Sequence, residues 1–205
     1  MSKYTAEFKN VELLDAIRRL ALLVELRVGK TKNHLERIQG YSRVIAYGLG
    51  LASQEAEVVY HASQLHDVGL VGVPEDLLNK KGELAAFEFE YVKRHPDIGG
   101  DLLSGSPSLI IQVGEVIART HHERWDGSGY PKGLKGEDIP LSGRICAIAD
   151  VFDALTTERT YKKEIPVGDA LELIQGAGST LFDPQLVVVF ADHFDELVAV
   201  RQGNI

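Results

Sequence analysis

The sequence predicts an all-α fold, a single multi-helix bundle with a metal site at helix ends. Three observations lead there. Apolar side chains recur at helical spacing along most of the chain, and no period-2 run of any length occurs. Histidines and aspartates gather beside the glycines and prolines that end the helical runs. With 205 residues, 44% hydrophobic and 25% charged, the chain supports one domain with a substantial buried core.

Taken in order, Val11, Leu14, Ile17, Ala21 and Val24 mark an amphipathic helix over residues 7–28, with Arg18, Arg19 and Glu25 elsewhere on the wheel. Gly29 to Lys32 breaks it. A second helix begins at His34 and runs to Gly48 or Gly50, and Ser53 is the expected N-cap of a third that ends at His66-Asp67-Val68-Gly69. Pro74 opens a short helix, and Lys81-Gly82 is a turn. A helix from Ala85 to Arg94 stops before His95-Pro96, because a residue before proline is driven out of the α region. Asp97 to Leu103 makes a turn or two, Ile110 to His121 is helical, and residues 123–139 form a long loop. Leu141 to Thr157, Val167 to Ala177 and Pro184 to Arg201 close the chain as helices.

A formal net charge of -8 argues against a DNA or RNA polymer as partner, since backbone binding needs a basic face. No stretch is long and apolar enough for a membrane span, and no signal segment is apparent, so a cytoplasmic location is expected. The one cysteine, Cys146, lies in the apolar run Ile145 to Ala149 and reads as a small buried hydrophobe.

Of seven histidines, His34, His66, His95, His121 and His122 stand at helix ends beside glycine, proline or an acid. His121 and His122 are adjacent, and neighbours on a helix point about 100° apart. Both can face one site only because the helix is ending. With Asp67 and Asp150 these residues make a nitrogen and oxygen donor set without thiolate, suited to two divalent ions, iron or manganese before nickel or zinc. Asp67 is the natural bridge between two ions, a geometry that activates water for in-line attack on phosphorus. Asp150 sits inside an apolar helical run, where a carboxylate needs a partner. Taken singly, each histidine also reads as a turn or helix-end residue; His61 and His193 are left as structural or surface residues.

The segments HDVGLVGVP at 66–74, VKRHPDIGGDLL at 92–103, HHERWDGSGYPKGLKGEDIP at 121–140 and RICAIADVFDALTTERTYKK at 144–163 resemble the HD-GYP family of the HD metal-dependent phosphohydrolase superfamily. That family degrades the bacterial second messenger cyclic di-GMP. The resemblance implies one ion on His34, His66, Asp67 and Asp150 and a second on Asp67, His95, His121 and His122. It implies that Arg159 and Lys162 contact substrate phosphates and that Asp67 serves catalysis. Asp153, one turn after Asp150, is a candidate catalytic residue as a proton-handling or ligand-supporting group, or else a cap or a salt-bridge partner of Arg159. Tyr130 either stacks a guanine or pins its loop, and Trp125 is expected to pack behind the metal site. Gly127 and Gly129 are expected at positive φ. The implied reaction opens cyclic di-GMP to linear pGpG, with GMP as a further product. The loop at 127–131 is implicated in contacts with diguanylate-cyclase-type proteins. Residues 1–29 are expected to form an N-terminal helix, a connection to a sensor or receiver module, a homodimer contact or equally part of the core, and residues 30–205 the catalytic domain.

Two positions depart from the family pattern. Leu70 stands where most members have a lysine near the scissile phosphate, and Lys30 stands where some have a glutamate that helps hold a third metal. Lys30 points to a dinuclear site. Leu70 removes a cation and supports an alternative, a catalytically weak cyclic-dinucleotide receptor or protein-interaction module; a phosphohydrolase for another nucleotide is the third reading. Lys93, Arg94 and Lys163 are the cations that could stand in for the missing lysine.

Overall fold

The structure, a computed structural model, describes residues 11–28, 32–158 and 163–204. Among them are eleven α-helices and no strand, only an isolated bridge between Gly178 and Phe182. The helices are α1 (Val11–Arg27), α2 (Lys32–Gly48), α3 (Ser53–Ser63), α4 (Glu75–Leu78), α5 (Ala86–Val92), α6 (His95–Leu103), α7 (Leu109–Thr120), α8 (Leu141–Thr156), α9 (Val167–Gly176), α10 (Pro184–Asp192) and α11 (Phe194–Arg201). No helix among the described residues is long and apolar enough to cross a membrane.

Local chemistry moves several boundaries from their expected places. The third helix is capped from inside, because the Glu55 carboxylate accepts the Ala52 N–H at 3.3 Å, so Ser53 is helical and not the cap. His95 and Pro96 open α6, since a first-turn proline loses no hydrogen bond it would otherwise make. The final run divides at His193, whose φ of -107° ends α10 and starts α11. Ser108 caps α7 as its hydroxyl accepts from Ile111 N.

Two apolar clusters share the central α2 and α8. One gathers Tyr41, Ile45, Phe152, Ile174, Leu186 and Phe190, the other Ile17, Ile38, Leu65, Ile110, Ile117 and Cys146. Cys146 is fully buried, as an apolar residue would be. α1 joins the second cluster through Ile17, buries Ala21 and Val24 as well, and leaves Leu20, Leu23 and Leu26 exposed. Its last turn is tied down because the Arg27 guanidinium donates to the carbonyls of Leu70, Val71 and Val73. These carbonyls belong to the 3-10 turn Val68–Gly72 that follows Asp67 and to Val73, which caps it.

Gly69 sets how closely that turn meets α6. A Cβ there would lie 1.9 Å from the His95 carbonyl oxygen and 2.4 Å from Gly99 N. Only glycine permits this approach, which carries His95 to Asp67.

Candidate metal centre

Four separate helix ends deliver the histidines to one place. His34 lies in the first turn of α2, His66 and Asp67 follow α3, His95 opens α6, and His121 is the C-cap of α7 with His122 beyond it. His34, His66, Asp67, His95 and His121 are all buried. Donor atoms of Asp67, His95, His121 and His122 lie within 4.8 Å of one another, as do those of Glu25, His34 and His66.

The backbone decides which ring nitrogens face inward. His66 Nδ1 lies 2.9 Å from the Ser63 carbonyl, His95 Nδ1 2.8 Å from that of Val92, and His121 Nδ1 3.1 Å from those of Ile117 and Ala118. A carbonyl only accepts, so each Nδ1 carries the proton and each Nε2 keeps a lone pair for the site. The Nε2 atoms of His95 and His121 are 3.3 Å apart. The Asp67 carboxylate stands among them: Oδ2 is 3.3 Å from His66 Nε2, and Oδ1 is 3.4 Å from His95 Nε2 and 3.6 Å from His121 Nε2. One oxygen toward each group is the disposition of a bridging carboxylate. Lone pairs converging on one anion with no thiolate nearby fit a divalent cation, which would replace the mutual repulsion of the histidines with attraction.

Electrostatics follow from the crowding. Burial takes His95 down to about 4 against the opposing charge of Asp67, with His121 adding to the fall. His122 also lies well below its ordinary value, through burial first and then His121 and His95. Neutral imidazoles are the form a metal needs.

His34 is held differently. Its Nδ1 donates to Asp153 Oδ2 at 2.7 Å, and Arg37 grips both oxygens of the same carboxylate at 2.5 and 3.1 Å. Burial would raise the Asp153 pKa, and the bonds from His34 and Arg37 together hold it below the usual carboxylate value. Asp153 thus stands behind His34 and orients it. On the other side, His34 Nε2 lies 3.8 Å from Oε2 of Glu25, a residue 1% exposed on α1. Sequence reading put Glu25 on the polar face. It is four residues after Ala21 and eight after Ile17, both buried, and that register was the signal that could have found it.

The loop after His122 closes over the cluster. Tyr130 stacks on His122 with ring centroids 4.7 Å apart, and burial, then the charges of Asp67 and Asp150, push its hydroxyl pKa up. Asp150 acts electrostatically on His122 as well as on Tyr130. The loop is held by Glu123, 3% exposed, whose oxygens accept from Lys132 N at 2.8 Å and Leu134 N at 3.0 Å. Gly127 has the expected positive φ, 86°. Gly129 does not; it is needed because a Cβ would sit 2.4 Å from Arg124 N. Trp125 is half-buried beneath the Arg144 guanidinium, and its backbone N–H donates to the Leu181 carbonyl, so this residue pins the loop toward residues 180–183. The Tyr130-Pro131 peptide is cis.

Arg159, Lys162 and Lys30 lie outside the described residues. Leu70 is buried with Val24 and Val73, so its side chain is part of a small apolar cluster. His193 pairs with Glu196 and His61 packs on Tyr60, both apart from the two donor groups.

Comparison with known proteins gives the family and the fold. The HD domain family model matches residues 18–186, and the chain belongs to that family. With the HD pair at 66–67 and Gly129-Tyr130-Pro131 on the loop, it is an HD-GYP protein. It is 42% identical to the 3'3'-cGAMP-specific phosphodiesterase 2 of Vibrio cholerae, over 95% of this chain and 39% of that protein. It is 46% identical to the cyclic di-GMP phosphodiesterase response regulator RpfG of Xanthomonas campestris, over 84% of this chain and 46% of that protein. The chain therefore spans less than half the length of these curated relatives. A solved cyclic GMP-AMP-specific phosphodiesterase of Vibrio cholerae has the same fold, with a TM-score of 0.68 at 21% identity over 94% of this chain and 53% of that one.

Proposed function

We propose that this chain is a metal-dependent phosphodiesterase domain of bacterial second-messenger signalling that opens a cyclic dinucleotide, cyclic di-GMP first, to linear pGpG and onward to GMP. The carrying observation is the position of Asp67 between His66 on one oxygen and His95 and His121 on the other. Two divalent ions, iron or manganese before nickel or zinc, suit the donors. One would rest on Asp67, His95, His121 and His122, the other on His34 and His66 with Glu25, Asp67 and Asp150 as the available carboxylates. Divalent ions there supply Lewis acidity and acidify water for attack on phosphorus. The residues do the positioning. Asp153 fixes the His34 ring, the backbone carbonyls fix the other tautomers, and Tyr130, kept protonated by its raised pKa, can donate to a phosphoryl oxygen.

The test is product analysis with cyclic di-GMP after anaerobic loading with iron or manganese, beside a His66→Ala control. Linear dinucleotide or GMP from the parent alone supports the reading. Intact substrate at full metal complement overturns it in favour of a receptor or another nucleotide.

A further inference from the structure

Next to the metal centre the chain exposes aromatic surface that the core does not need. α5 carries Phe87, Phe89 and Tyr91, which are 76%, 42% and 43% exposed on a helix of seven residues. Large rings are seldom left in water in a group without something to cover them. This group continues inward. The Phe89 ring lies 6.3 Å from that of Tyr130, which stacks on His122, so aromatic surface runs unbroken from α5 to a candidate metal ligand. Lys93 stands over the same surface, its ammonium 5.1 Å from the Phe89 centroid and 5.6 Å from that of Tyr130. Its charge partner is the exposed Glu90, in an i,i+3 pair of the kind that contributes little and is readily exchanged.

We propose that Phe89 and Lys93 form a nucleobase subsite selective for guanine, in which the base of a substrate held at the metal centre stacks on Phe89 and Lys93 reads its edge. Flat apolar rings with a cation above them suit a π-face carrying peripheral acceptors. Guanine presents O6 and N7, two acceptors, to an ammonium. Adenine presents an amino donor where guanine has O6, and donor against donor repels. A protein partner would also cover exposed aromatics, but the continuity with Tyr130 and His122 favours a ligand that reaches the metal centre. This assignment rests on the cyclic-dinucleotide reading above and adds to it a residue that selects cyclic di-GMP over adenine-containing analogues.

The test compares cyclic di-GMP with cyclic di-AMP on the metal-loaded chain, as the parent and as Lys93→Met and Phe89→Ala; both side chains are at the surface, where substitution spares the core. The parent is expected to favour cyclic di-GMP in kcat/KM by about tenfold or more, Lys93→Met to bring the ratio to within about twofold, and Phe89→Ala to weaken both ligands by about five- to tenfold. Where the parent turns over neither, the same ratio is read from equilibrium dialysis. A ratio unchanged in Lys93→Met overturns the guanine assignment alone. A parent that neither binds nor cleaves any cyclic dinucleotide overturns the substrate reading and this one with it.

Discussion

His34 Nδ1 and Asp153 Oδ2 lie 2.7 Å apart although 119 residues separate them, and Asp153 receives Arg37 on the same carboxylate. This triad couples the core of α8 to the first histidine of the candidate metal centre. Asp153 acts through His34.

Asp153→Asn should weaken both the fold and the centre. It leaves the Arg37 guanidinium without its anion, a loss on the order of 3–5 kcal/mol for a broken buried pair. It also loosens the His34 ring, which should lower metal affinity about 10- to 100-fold. Metal titration beside thermal unfolding checks both, and parental affinity in the variant would show that His34 needs no support.

Glu25→Gln tests whether α1 supplies a metal ligand. The neutral amide keeps the shape and removes the anion 3.8 Å from His34 Nε2. Elemental analysis after dialysis should give close to two ions per chain in the parent and close to one in the variant. Equal counts would confine Glu25 to a packing role.

Gly69→Ala should cost about 3 kcal/mol by urea denaturation, because its Cβ would meet backbone on both sides and backbone cannot swing aside. Gly50→Ala, at φ +80° with nothing within 4 Å, serves as the reference and should cost about 1 kcal/mol. Similar losses at the two sites would contradict the close crossing of the 68–72 turn with α6.

The metal-free protein should be acid-sensitive. His95 titrates at about 4 in the fold against an ordinary value of 6.5, so on acidification the unfolded chain takes up the proton first. Stability conferred by the neutral ring is complete above about pH 6.5 and is lost as pH falls toward 4, with His122 adding in the same direction. Melting temperatures between pH 7.5 and 4.5 should fall more steeply for the parent than for His95→Asn. Parallel slopes would remove His95 as the source.

Much of this was legible because it is local. Helical periodicity and the residues that punctuate it placed nearly every helix, and histidines at helix ends marked the centre before any geometry was known. The misses have physical causes of their own. Ser53 lost the cap to Glu55, a side chain three residues on, and His95-Pro96 joined α6 because proline is tolerated in a first turn. The packing of Leu70 with Val24 and Val73 was not legible in the sequence, because it depends on where α1 crosses the 68–72 turn.

The sequence by itself determined the all-α class and the HD-GYP membership and singled out the candidate donors, since each is written in residue type and short-range spacing. Only the tertiary structure decided which nitrogen of each histidine faces inward, how the two oxygens of Asp67 are shared, that Glu25 reaches His34, and that Phe89 and Lys93 extend the surface of Tyr130. Apart from the histidine tautomers, which backbone carbonyls three or four residues away decide, these relations join separate helices and turns. They are fixed by how closely helices pack, and a one-dimensional pattern does not record that distance.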